Sequence, residues 1–218
     1  MRAKYLVFAF ILAMTGYVLY HNERFLVQPA NPIWAHYSKY SWWLLTHGVA
    51  GASALLLAPM QFSDRLRARY TKLHRITGRI YVAGALVLAP LGAYIQYMAE
   101  GIDHGPRSFT TLAAVDAAML STATLIALIF ALRRRITQHR QWMTRSYAIA
   151  LVFFEGRFIL GLTGLERAGV DMVQAVIWTC LALSVLLADI VIDAHEIRVA
   201  ATARARVPSR PAVAASVG

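Results

Sequence analysis

The apolar residues of this chain form long unbroken runs. Six stretches, at approximately Tyr5–Tyr20, Ser41–Met60, Gly78–Met98, Phe109–Leu132, Ser146–Leu165 and Met172–Ile192, are separated by short polar segments. A bilayer core about 30 Å thick needs about 20 helical residues, with a workable range of about 17–25. Runs of this length without two-residue alternation predict helices rather than barrel strands. The first stretch follows Arg2 and Lys4, as the apolar part of a secretion signal would. It lacks a small-x-small cleavage motif and five more runs follow it, so it reads as a retained helix. The expected fold class is therefore all-α, a polytopic membrane bundle of six transmembrane helices, with residues 1–197 as one membrane domain.

Charge fixes the expected orientation. Most of the 22 Lys and Arg fall in three places: Arg65 to Arg79 between the second and third runs, Arg133 to Arg145 between the fourth and fifth, and Arg198 onward. Arg2 and Lys4 belong to the same side, whereas Arg24, Lys39, Arg107 and Arg167 fall on the other. Such asymmetry in short loops predicts both termini in the cytoplasm of a bacterial inner-membrane protein. Trp34, Tyr37, Tyr40, Trp42 and Trp43 crowd the start of the second run on the opposite side, where amphipathic rings favour the headgroup level. The tail, Arg198 to Gly218, has Pro208, Pro211 and no apolar periodicity, and is expected to be disordered.

Composition excludes several function classes. The chain is 218 residues long, 58% hydrophobic and 15% charged, with a formal net charge of +11. A soluble domain carries about 25% charged residues. Because the basic residues interrupt apolar runs, they read as topology signals facing a lipid bilayer and not as a nucleic-acid surface. The single cysteine, Cys180, excludes an intrachain disulfide, a Cys/His zinc spacing and covalently attached haem. No nucleophile elbow or metalloprotease helix motif occurs. A bound metal or haem would therefore need histidine ligands.

Ionisable residues inside the runs are candidate functional groups, since each costs about 2.5–3.5 kcal/mol at a helix centre. They are His47, Asp116, Glu155, Arg157 and, near an inner end, Asp189. His47, Asp116 and Arg157 stand six to eight residues from the outer ends of their runs, about 9–12 Å deep at the helical rise. The expectation is a buried polar network of His47, Asp116, Glu155 and Arg157, with Asp116 paired to Arg157. Pro90 would free a backbone carbonyl at the same level. Such a network serves either as a structural clamp or as the relay of a proton-coupled carrier.

The two arginine-rich hairpins echo each other. His74-Arg75, Arg79 and Tyr81 in one match His139-Arg140, Arg145 and Tyr147 in the other, and each series opens an outward run. His74 and His139 would then lie at one depth. Two imidazoles at one depth with arginines nearby (Arg75, Arg79, Arg140 and Arg145) are the pattern that holds non-covalent haem b in a helical bundle, with cations for the propionates. A haem-binding redox protein, with an unidentified small-molecule or redox partner, is thus one expectation. A carrier using the buried network is the second. A structural or assembly protein without a catalytic site is the third.

These same segments carry a resemblance. His47-Gly48, Ala58-Pro59-Met60-Gln61-Phe62, Leu73-His74-Arg75, Gly78-Arg79-Ile80-Tyr81, His139 to Tyr147 and Arg157 together resemble the bacterial predicted membrane proteins carrying domain of unknown function 2306, over roughly residues 40–165. The resemblance implies a polytopic inner-membrane protein in which these histidines and arginines recur. It implies no reaction.

Overall fold

The computed structural model describes residues 3–28, 30–102 and 107–205. Eight α-helices appear in chain order: α1 (Ala3–His21), α2 (Ile33–Tyr37), α3 (Ser41–Gln61), α4 (Asp64–Arg69), α5 (Thr71–Ile102), α6 (Ser108–Leu132), α7 (Ile136–Thr163) and α8 (Val170–Ala205). The described residues contain no strand. Five helices (α3, α5, α6, α7 and α8) are long and apolar enough to cross a bilayer, and Tyr5–His21 is a shorter apolar helix.

The helices extend past the apolar runs at the arginine-rich end. α5 starts at Thr71 instead of Gly78, and α7 at Ile136 instead of Ser146. The added turns, about two on α5 and nearly three on α7, place His74 and His139 on helix and not in loops. α8 likewise continues through Arg198 to Ala205. That corrects the expected start of disorder at Arg198; residues 206–218 lie outside the described residues. The short α4 is started by Ser63, whose Oγ accepts from the Leu66 N–H at 3.2 Å, and carries an Asp64–Arg67 pair one turn apart at 2.7 Å.

Successive long helices pack side by side: α3 on α5, α5 on α6, α6 on α7 and α7 on α8. Because α7 also touches α1 and α3, it is the central helix, and its buried residues (Met143, Ser146, Tyr147, Ile149, Val152, Gly156 and Leu160 among them) occupy several faces. The α3–α5 seam is close because Gly84 has no side chain. A Cβ there would collide with Ser53 Oγ and come 2.9 Å from the Ala50 carbonyl. Small residues at such crossings let backbones approach where lipid supplies no hydrophobic driving force between helices.

A hydroxyl chain ties α5, α6 and α7 together. Tyr81 Oη lies 2.7 Å from Ser146 Oγ, Ser146 Oγ lies 2.8 Å from Thr124 Oγ1, and Thr124 donates to the Leu120 carbonyl at 2.7 Å. A carbonyl only accepts, so Thr124 spends its proton there, Ser146 donates to Thr124, and Tyr81 donates to Ser146. All three side chains are fully buried, and the chain leaves none of these hydroxyls unsatisfied in the bundle interior.

Gly84→Ala is expected to destabilise the protein by about 1–3 kcal/mol through overpacking. Gly48→Ala, where a Cβ meets nothing within 4 Å, is expected to be close to neutral. Thermal unfolding in detergent checks both; equal effects would refute the close α3–α5 approach.

Candidate functional site

At membrane depth, three of the four residues expected to form one network bind three different partners, and the fourth, Asp116, bonds to none of the others. His47 Nδ1 donates to the Leu88 carbonyl of α5 at 3.1 Å. Since a carbonyl cannot donate, the ring proton is on Nδ1 and Nε2 carries the lone pair. The imidazole fits there because Gly92 is opposite; a Cβ would come 3.0 Å from His47 Cε1. Glu155 accepts from the Ser184 hydroxyl of α8 at 2.6 Å. Arg157 reaches past the end of α1 to Glu23, with which it forms an ion pair. Asp116 is buried, and its Oδ1 has no hydrogen-bond partner.

The expected Asp116–Arg157 pair therefore does not form. The reason is orientation: Arg157 is largely exposed on α7 and turned toward α1, where Glu23 is available, whereas Asp116 faces the bundle interior from α6. His47 is within Coulombic range of Arg157 but does not bond to it. The carbonyl freed by Pro90 would be that of Leu86, four residues earlier. The one His47 uses is Leu88.

The arginine-rich end is assembled differently. Tyr81 and Ser146 touch across α5 and α7, and His74 and His139 each precede one of them by seven residues. Seven residues are about two turns, about 10.5 Å along the axis, and return to nearly the same helix face. Both helices run in the same direction from this end, so the two histidines stand at a similar level, two turns from the Tyr81–Ser146 contact. His74 is within Coulombic range of His139, Arg67 and Arg75. The sequence echo aligned Tyr81 with Tyr147; the structure pairs Tyr81 with Ser146, one residue earlier, which restores equal spacing.

Second partners orient each ring. His139 Nδ1 donates to the Ala127 carbonyl at 2.9 Å, which places the proton on Nδ1 and the lone pair on Nε2. His74 Nδ1 lies 3.0 Å from the side-chain amide of Gln61 at the end of α3. Two arrangements fit the same atoms. With the amide NH2 toward His74, it donates to Nδ1 and to the His74 carbonyl, and the amide oxygen accepts from Thr77 at 2.6 Å and from the Gly78 N–H. This satisfies more of the amide's neighbours and leaves the His74 proton on Nε2. With the amide reversed, Gln61 donates to Thr77 at 2.6 Å, Thr77 donates to the Leu73 carbonyl at 2.8 Å, and His74 donates from Nδ1. The amide of Gln61 thus sets which nitrogen of His74 carries the lone pair.

Of the four arginines expected here, three remain available. Arg75, Arg79 and Arg140 are exposed beside the histidines. Arg145 is committed, pairing with Asp189 of α8 at 2.8 Å and lying 5.0 Å from the Trp142 ring. Among the described residues, no group of three or more His, Cys, Asp or Glu side chains comes together as a metal-ligand set.

Sequence reasoning passed over Gln61, Glu23, Ser184 and the Tyr81–Ser146–Thr124 chain as functional partners. Gln61, Tyr81 and Ser146 stand within the motifs already singled out, and a seven-residue spacing from each histidine is a readable signal for the last two. Nothing in the sequence marks Glu23 or Ser184, whose roles depend on how α1 and α8 are turned against α7.

A double-mutant cycle with Glu23→Gln and Arg157→Gln is expected to give a coupling of up to about 1 kcal/mol, the range for partly exposed pairs. The corresponding cycle for Asp116→Asn with Arg157→Gln is expected to give none. Coupling in the second cycle alone would contradict the geometry.

No curated protein and no solved structure matches the chain. Residues 44–192 match a protein family, and this segment takes in His47, both arginine-rich hairpins, the hydroxyl chain and Arg157. The chain belongs to that family, described as "Predicted membrane protein (DUF2306)".

Proposed function

We propose that this chain is a six-span protein of the bacterial inner membrane, with both termini in the cytoplasm, that holds haem b between His74 and His139 and serves in electron transfer. The sixth span is α1. Phe8 packs on Phe62 beside the arginine-rich end, with ring centroids 5.8 Å apart, while Glu23, just past α1, pairs with Arg157 toward the opposite end. Phe10 and Tyr17 both pack edge-on against Phe158 of α7. These contacts favour a helix running the height of the bundle, and its 19 residues reach about 28 Å at the helical rise. Residues 206–218 would be a basic tail on the cytoplasmic side.

The observation that supports the haem reading is the Tyr81–Ser146 contact between α5 and α7, each partner standing seven residues after a histidine, His74 and His139. His139 is already oriented by a backbone carbonyl with Nε2 free, which is the second-partner arrangement that prepares a histidine as a ligand. His74 reaches the same state when the Gln61 amide accepts from its Nδ1. Two nitrogen donors are what six-coordinate haem requires of a protein, and Arg75, Arg79 and Arg140 are placed to meet its propionates. When bound, haem supplies a one-electron redox centre. The polypeptide orients the two rings through Ala127 and Gln61, and Tyr81 and Ser146 fix the spacing of α5 and α7 below them. The carrier reading rests on a relay among His47, Asp116, Glu155 and Arg157, and their separate partners give it less support.

Protein expressed with ample haem and purified in mild detergent is expected to show a Soret band that shifts on dithionite reduction. His74→Ala and His139→Ala should each remove the six-coordinate spectrum, and His47→Ala should leave it intact. Colourless protein, or a spectrum unchanged in both histidine variants, would refute the proposal.

A further inference from the structure

Three buried side-chain polar atoms lack a hydrogen-bond partner among the described residues: Asn22 Oδ1, Asp116 Oδ1 and Tyr147 Oη. Two belong to neutral groups. The third belongs to a carboxyl group, and an unpaired carboxylate in an apolar interior is far costlier than an unpaired amide or hydroxyl. Asp116 is 7% exposed and stands eight residues into α6, about 12 Å along the helix. Its neighbours on the same face, Leu112, Ala113 and Leu120, are buried and apolar. Its level lies between the Phe109–Phe153 ring contact and the Thr124–Ser146 hydrogen bond, both of which join α6 to α7.

The ionisable groups of the helices packed against α6 in that half of the bundle are engaged elsewhere. On α5, Glu100 accepts from the Phe109 and Thr110 backbone N–H groups at 2.8 and 3.0 Å, Tyr94 packs against Trp43, and the Tyr97 ring lies under Arg107. On α7, Glu155 takes the Ser184 proton donor and Arg157 takes Glu23. On α8, Asp171 is exposed in the first turn. No cation forms an ion pair with Asp116 among the described residues, so the neutral acid is the form this environment retains.

We propose that Asp116 is a proton-binding site: a carboxyl group that keeps its proton inside the membrane bundle at neutral pH. The ligand is the proton itself, and no other cofactor is needed. This site is separate from the histidine pair and does not depend on the haem reading.

Infrared spectra of the full chain at neutral pH, in an alkyl maltoside that has no carbonyl of its own, test the assignment. A carboxylic-acid C=O band that shifts in D2O and disappears in Asp116→Asn is expected. Should that variant fail to fold, 13C-aspartate labelling of the unsubstituted protein replaces it, because Asp116 is the buried aspartate among the described residues; the acid band should then shift with the label. Ionised carboxylate bands alone, or an acid band indifferent to both the substitution and the label, would overturn the proposal.

Discussion

The constraint that organises this molecule is the absence of water along most of its length. A polar group on a lipid-spanning helix must find a partner inside the bundle or sit near an end where solvent can reach it. The chain obeys this with few exceptions. The hydroxyls of Tyr81, Ser146 and Thr124 discharge into one another and then into a backbone carbonyl. Glu155 takes a serine, His47 takes a carbonyl, and the guanidinium of Arg157 is directed to Glu23. Most arginines of the two hairpins need no interior partner, because they stand at or beyond the ends of the apolar runs; Arg145 pairs with Asp189.

The turns of α5 and α7 beyond the apolar runs connect fold to chemistry. Had α5 begun at Gly78 and α7 at Ser146, His74 and His139 would be loop residues with no fixed relation. As it is, one buried contact between Tyr81 and Ser146 relates two parallel helices, and helical periodicity carries that relation back seven residues to His74 and His139. The same contact explains why α7, which touches four other helices, can be central without a crowded apolar interface to α5.

Much of the architecture was legible in the sequence because lipid thickness imposes a length scale that apolar runs report directly. The runs Ser41–Met60 and Phe109–Leu132 coincide closely with α3 and α6. Where helix continues beyond the bilayer, apolarity is a poor guide: the amphipathic turns Thr71–Thr77 and Ile136–Arg145, and Arg198–Ala205, were read as loop or tail. The polar interior was less legible still. Depth along a helix follows from counting residues, but the direction a side chain faces depends on the rotation of each helix, which uniformly apolar segments such as α6 do not encode. Hence His47, Asp116 and Arg157 share a level by residue count, while their side chains turn to separate surroundings. Asp116 stands alone because α6 turns it inward, among alanines and leucines.

The distinction between the interior of the bundle and its ends requires the arginine-dense turns to share one side of the membrane. The most direct measurement inserts a reporter that is active only in the cytoplasm into α4, near Arg67, and, in a second fusion, near Lys39 in the segment between α1 and α3. Activity at Arg67 and none at Lys39 is the outcome this account predicts; the reverse pattern, or activity at both positions, would contradict it.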